Sequence, residues 1–172
     1  IGAPTVITID LTATSQLSRI WQHLAQGGET PIPQLPAVAQ EISELAPGYI
    51  RIDHIFDAYD VVKQGGSGDI VYDFSLLDKE VDVMIKAGAT PFFSLSYIPT
   101  ALADPVNPAR PSSYEEWEEL VAQTVSHYSG RNGKNMSAVF YEVYNEPDLF
   151  GTWSVSEYVS LYEASVRGAQ AA

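Results

Sequence analysis

The sequence contains no cysteine, which excludes a disulfide framework and any thiolate-held metal centre. It is also poor in positive charge. Nine lysines and arginines stand against 22 aspartates and glutamates, a formal net charge of −13. A polyanion is repelled by such a chain, so nucleic acid is not an expected partner, and the acid excess reads as a solvated surface. No apolar run approaches the roughly 18 residues that a membrane span requires. The first residues show no basic region followed by an apolar run, so no signal peptide is visible. The missing initiator methionine suggests that a leader or tag was removed. No GxGxxG or phosphate-cradling loop follows a strand-like run. Gly65, Gly66 and Gly68 lie inside a long loop and read as its tip. The three histidines, His23, His54 and His127, have no mutual spacing that suggests a metal site, and His127 is expected at the surface. No metal or organic cofactor is expected.

What is present is an alternation. Apolar residues make up 45% of the 172, enough for a globular core, and short β-rich runs are followed by amphipathic helices. Strands are expected at residues 5–10 (TVITID), 18–25 (SRIWQHLA), 49–53 (YIRID), 90–96 (TPFFSLS) and 139–144 (VFYEVY). Helices are expected at four places. One covers residues 36–45, stopped by Pro47 and Gly48. A second is capped by Asp73 or Ser75, with a stripe of Leu77, Val81, Met84 and Ile85, and ends at Gly88. A third is opened by a capping box of Ser113 and Glu116. The last is capped by Ser154 and Glu157, with Val159, Tyr162 and Val166 as its core stripe. The acidic run Glu115, Glu116, Glu118 and Glu119 opens the third helix, where carboxylates favour the dipole, and reads as a solvated face. The links from helix to strand are short and those from strand to helix are long. One plain face and one elaborated face is the pattern of a βα enzyme whose site lies at the carboxyl ends of its strands.

At one of those ends stands Asn145-Glu146-Pro147, directly after VFYEVY. A carboxylic acid held there by the sheet faces the ligand cleft. Glycosidic bond cleavage needs such a group to protonate the leaving oxygen, with a second carboxylate opposite it. As three letters alone, Asn-Glu-Pro reads first as a turn with a solvated glutamate. Its surroundings change the weighting. The runs YIRIDHIFDAYD, VYDFSLLDKEVDVMIKAGATPFFSLSYIPTALA, SSYEEWEELVAQTVSHYSGRNG and FYEVYNEPDLFGTWSVSEY occur in order and at matching spacing. Together they resemble glycoside hydrolase family 39, which contains β-xylosidases and α-L-iduronidases within a clan of (β/α)8 retaining hydrolases.

That resemblance covers about residues 18–172 and implies an α/β chain forming the first four βα units of a TIM barrel. Residues 1–17 are then an N-terminal extension with an outer strand. It implies a retaining glycosidase of carbohydrate in which Glu146 is the acid/base and Asn145 binds the hydroxyl beside the anomeric carbon. Arg51 falls on the clan's arginine that helps keep the nucleophile ionised, and Trp153 falls where the family carries a loop tryptophan. For Trp153, loop packing and a sugar-stacking platform are open alternatives. The sequence departs from the family at Asp53-His54, where His-Gly is usual, and at Tyr144, where Trp is usual. Asp53 is left either to accept from a sugar hydroxyl or to pair with Arg51. Since Glu146 must start protonated, its pKa is expected to be raised by burial or by the nucleophile's charge. The family's nucleophile, a glutamate after strand seven, has no position in these residues. They are therefore expected to need the other half of a barrel, or self-association, to cover strand faces and complete the chemistry. The alternative function is a non-catalytic carbohydrate-binding or scaffold domain derived from such a barrel. Acidity without cysteine suits a secreted or extracytoplasmic location.

Overall fold

A computed structural model describes residues 7–10, 12, 15, 18–26 and 33–172. Four parallel strands form the main sheet: β1 (His23–Gln26), β2 (Tyr49–Ile52), β5 (Thr90–Leu95) and β6 (Phe140–Val143), side by side in that order. Between them run α1 (Ala39–Leu45), α2 (Leu77–Lys86) and α3 (Tyr114–Tyr128), and α4 (Val155–Ala171) follows β6. A hairpin of β3 (Val62–Gln64) and β4 (Ile70–Tyr72) is set into the connection from β2 to α2. Adjacent parallel strands joined by helices are the repeating unit of an α/β barrel, and the chain is a partial one.

The period of the strands decides which side is core. On β2, Ile50 and Ile52 are buried while Tyr49 and Arg51 project to the other side; on β5, Phe93 and Leu95 are buried under the helices. They meet Leu77, Val81 and Met84 of α2, and Trp117, Leu120, Val121 and Tyr128 of α3, in one continuous cluster. Each such fully buried side chain contributes about 1.5–3 kcal/mol of transfer free energy. The opposite face of the sheet carries a chain of ring contacts. His23 stacks on Tyr49 at 5.3 Å, and Tyr49 and Phe92 meet Phe140 at 5.4 and 5.7 Å. These rings and Arg51 line an open trough of about 400 Å³, with Tyr49 37% and Phe140 48% exposed.

Helix ends follow local chemistry, with some corrections to expectation. Ser154 and Glu157 form the complete reciprocal box at α4. At α3 only half a box is present. Ser113 Oγ accepts from the Glu115 and Glu116 amides, but the Glu116 carboxylate accepts from Ser112 Oγ instead. Neither Asp73 nor Ser75 caps α2, whose N-cap is Leu76. Asp73 accepts from the Ser75 amide and from Lys63 of the hairpin, one turn too early. On α2, Ile85 is exposed. On α4, Val159, Tyr162 and Val166 are exposed, and the packed face is Leu161, Ala164, Ser165 and Gly168. Small residues win there because α4 lies so close to α3 that a Cβ on Gly168 would come within 2.3 Å of the Glu118 carbonyl oxygen. His127 is not a free surface residue: Nε2 lies 2.9 Å from Asp78 Oδ1 and the ring stacks on Phe74 at 4.4 Å. Of the expected outer strand at 5–10, residues 5 and 6 lie outside the described residues, and 7–10 are exposed and form no strand. In the strand expected at 18–25, residues 20–22 form a 3-10 turn and β1 begins at His23. Gly65, Gly66 and Gly68 form the tip of the hairpin.

Candidate active site

Arg51 is positioned by the pleat of β2, which sends it to the trough side of the sheet toward the strand ends. Its Nε donates to Glu142 Oε2 at 2.7 Å and its Nη2 to Asn145 Oδ1 at 2.9 Å. Glu142 is the β6 residue in line with Phe140 on the same face, two residues nearer the carboxyl end. Burial works against the Arg51 charge. The bond and charge of Glu142 outweigh that effect, with Asp53 adding to them, and hold its pKa above the ordinary value.

Asn145 is clamped from both sides. Its Oδ1 accepts from Arg51, and its Nδ2 donates to the Tyr97 hydroxyl at 2.7 Å. A carboxamide oxygen has a second lone pair and the nitrogen a second hydrogen, so the fixed amide keeps one acceptor and one donor for a ligand hydroxyl. Glu146 follows at once, exposed, with φ of 44°. Tyr144, on the other side of Asn145, has φ of 63°. Left-handed backbone at two non-glycine residues is costly, and here it is held by the turn beyond. The Glu146 carbonyl accepts from the Leu149 and Phe150 amides at 3.0 and 2.8 Å, and the Pro147 carbonyl accepts from the Trp153 amide at 2.9 Å. Of the two expected sources of a protonated acid, burial is not provided by the described residues.

Asp53 is only 7% exposed. Its Oδ2 lies 3.9 Å from Arg51 Nη1, an ion pair without a hydrogen bond, and its buried Oδ1 has no hydrogen-bond partner among the described residues. Burial raises its pKa, against the charges of His54 and Arg51. The pairing alternative for Asp53 is thus met only at long range, and one oxygen is left over. His54 turns on a left-handed backbone (φ 55°), with Nδ1 2.9 Å from Asp57 Oδ2 and its ring edge-on to Tyr97 at 4.5 Å. The other Asp57 oxygen accepts from the Tyr97 amide at 3.0 Å. One carboxylate therefore ties the His54 ring to the Tyr97 backbone.

Trp153 is withdrawn into the loop. It is 7% exposed, with the Arg110 guanidinium 3.8 Å above its ring and Tyr144 edge-on at 5.3 Å, so packing is the role that this geometry supports. The structure thus brings together Arg51, Asp53, His54, Asn145 and Glu146 at one end of the strands and leaves Trp153 behind them. Sequence reasoning missed Glu142, Tyr97, Asp57 and Arg110. Period-two alternation in VFYEVY places Glu142 on the ligand side, and Tyr97 directly follows a strand; nothing local marks Asp57 or Arg110. Among the described residues no group of three or more histidines and carboxylates is placed to hold a metal, and no helix is long and apolar enough to cross a membrane.

The model of glycosyl hydrolases family 39 matches residues 32–172. A β-xylosidase of Caldicellulosiruptor saccharolyticus is 34% identical over 133 residues, covering 70% of this chain and 27% of the relative. A β-xylosidase of Geobacillus stearothermophilus is 31% identical over 121 residues, covering 63% and 24%. Among solved structures, a family 39 β-xylosidase from Caulobacter crescentus superposes with a TM-score of 0.71 at 27% identity, over 87% of this chain and 37% of that one. A family 39 enzyme from Xanthomonas axonopodis pv. citri shares the fold, with a TM-score of 0.68 at 23% identity, over 87% and 32%. The chain thus spans about a quarter of the curated relatives' length and about a third of the structures'.

Proposed function

Since the chain belongs to glycosyl hydrolases family 39, we propose that it supplies the acid/base side of a retaining O-glycosidase site, with Glu146 as the proton donor. The observation that carries this reading is the clamp on Asn145. An amide fixed between Arg51 and Tyr97, next to an exposed carboxyl at a strand end, is built to hold one sugar hydroxyl while the neighbouring bond breaks. In the first step a carboxylate attacks the anomeric carbon. The bond to the leaving oxygen breaks, and that oxygen takes the proton of Glu146. In the second step Glu146 takes a proton from water as the water oxygen displaces the carboxylate.

Retention requires the two carboxyl groups to stand about 5–5.5 Å apart across the sugar. Glu142 is committed to Arg51. The attacking group therefore belongs on the side of the barrel that these four strands leave open, where opposite strands also cover the aromatic trough. Residues 18–172 then form the barrel portion and residues 1–17 an extension. No step needs a cofactor. The curated relatives are named β-xylosidases, so β-xylosides are the first substrates proposed, with Asp53 and His54 reading a ring hydroxyl.

The test is Glu146→Gln, made in the complete barrel and assayed on an alkyl glycoside and on an activated aryl glycoside. Turnover of the alkyl substrate should collapse. Glycosyl transfer from the activated one, whose phenolate needs little protonation, should largely persist. Equal loss on both would assign Glu146 another role. A complete barrel that carries the attacking carboxylate and still binds sugar without turnover would favour the scaffold alternative.

A further inference from the structure

Beside the polar cluster lies an apolar concavity that the acid/base chemistry does not use. It is an open cleft of about 370 Å³, within the size range of small-molecule sites, whose lining includes His54, Tyr97, Pro108, Ala109, Tyr144 and Phe150. Tyr97 divides it from the sugar-reading side. Its hydroxyl is taken by Asn145, while its ring meets His54 at 4.5 Å, Tyr144 at 5.0 Å and Phe150 at 5.6 Å. Tyr144 is buried and forms the floor; Phe150, 44% exposed, forms the rim.

Two arguments fix what the cleft takes. The first is position. An acid that protonates the glycosidic oxygen sits on the leaving-group side of the bond, and the Phe150 amide is hydrogen-bonded to the carbonyl of Glu146 itself. The rim of the cleft is thus part of the turn that carries the acid. The second is chemistry. His54 Nδ1 is held by Asp57 and the Tyr97 hydroxyl by Asn145, so the lining presents mostly ring faces, ring edges and aliphatic carbon. A second sugar would bring several hydroxyls, each costing about 1–3 kcal/mol if buried unmatched. A flat aromatic ring meets other rings offset or edge-on at a gain of about 0.5–1.5 kcal/mol per pair.

Resting on the acid/base reading above, we propose that this cleft seats an aromatic, phenol-derived leaving group, so that the protein prefers aryl-type glycosides to sugar-linked ones.

Calorimetric titration of the complete barrel, its attacking carboxylate replaced by the amide so that no ligand is turned over, with 4-nitrophenyl β-D-xyloside, methyl β-D-xyloside and xylobiose tests it. The aryl glycoside should bind at least about ten-fold more tightly than xylobiose, the equivalent of one to three ring pairs. Phe150→Ala should reduce that preference to about two-fold or less and leave methyl xyloside unchanged. Xylobiose binding as tightly as the aryl glycoside, or a uniform loss on all three ligands in Phe150→Ala, would overturn the assignment, as would no binding by any of them. The acid/base reading fails on a separate signal, the leaving-group dependence of Glu146→Gln. Loss of aryl preference with that dependence intact overturns the cleft alone.

Discussion

Glu80 offers the sharpest test of how the fold supports the site. Its side chain is fully buried on α2, and its two carboxylate oxygens accept from the Gln34 amide at 2.6 Å, the Leu35 amide at 2.8 Å and the Tyr59 hydroxyl at 3.0 Å. These donors belong to the start of a 3-10 turn, Leu35–Val38, that leads into α1, and to the turn after β2, which also carries His54 and Asp57. One carboxylate therefore braces a helix, a connection and the ligand-facing turn. Glu80→Gln keeps the volume but turns an NH2 toward at least one donor. The expected cost is one lost charge-assisted bond plus one unmatched buried donor, about 2–4 kcal/mol. Tyr59→Phe removes one bond of the three and should cost about 1–2 kcal/mol. Glu80→Ala takes the shared acceptor away from all three donors and should cost about 3–5 kcal/mol. At about 2–4 °C per kcal/mol for a chain of this size, Glu80→Gln should lower the melting midpoint by roughly 4–16 °C. Urea unfolding, extrapolated to water, provides the free energies. A Glu80→Gln protein within about 0.5 kcal/mol of the parent would refute the reasoning, as would Tyr59→Phe costing more than Glu80→Ala.

Arg51→Lys should lower kcat/KM by about 10- to 100-fold, since one ammonium cannot span Glu142 and Asn145 and a charge-assisted bond is worth about 1.5–3 kcal/mol; an unchanged value would remove Arg51 from the site. The Asp53 pKa is raised in the folded state, so the fold takes up a proton more readily than the unfolded chain and loses stability as pH rises from the ordinary aspartate range through the raised value. Asp53→Asn should therefore stabilise the protein at pH 7, with the gain shrinking toward pH 4, and thermal melts at both pH values would show it; destabilisation at pH 7 would mean that the distant Arg51 charge outweighs burial. Gly168→Ala should destabilise despite the ~1 kcal/mol of helix propensity it adds, because its Cβ meets a backbone oxygen on α3 and overpacking of this kind costs about 1–3 kcal/mol; a raised melting midpoint would contradict the packing.

The βα alternation was legible because each barrel strand has a buried side that reads as a β-rich run and each helix has an apolar stripe bounded by turn residues. The end-of-strand position of Asn145 and Glu146 followed from the same pattern, whereas a site role for Arg51 came only from the resemblance to family 39. What escaped has physical reasons. The β3–β4 hairpin has three residues per strand, too few for a period to show. α4 carries two apolar faces. Large residues drew the sequence reading to Val159 and Tyr162, while the close approach to α3 selects Ala164, Ser165 and Gly168. Trp117 Nε1 donating to Ser165 Oγ at 2.8 Å makes that small-residue face specific, a contact that spans 48 positions and leaves no local trace. Glu142 was hidden in a run read only for its apolar letters.

Arg110 lies on the connection between β5 and α3, yet nearly all its bonds reach the segment from Glu146 into the first turn of α4. It donates to the Gly151 carbonyl at 2.9 Å, to the Thr152 carbonyl at 3.2 Å and to both oxygens of Glu157 at 3.0 and 3.1 Å, and it covers the face of Trp153. Ordering a residue of free loop costs about 1–2 kcal/mol of conformational entropy. Because Arg110 fastens the far end of this turn and the Glu146 carbonyl fastens the near end, that cost is met when the chain folds and not when a sugar arrives. On the proposed acid/base reading, ligand binding can then be spent on orienting the reacting bond, and loosening Arg110 should slow turnover by disorder at Glu146 without touching any atom of the substrate.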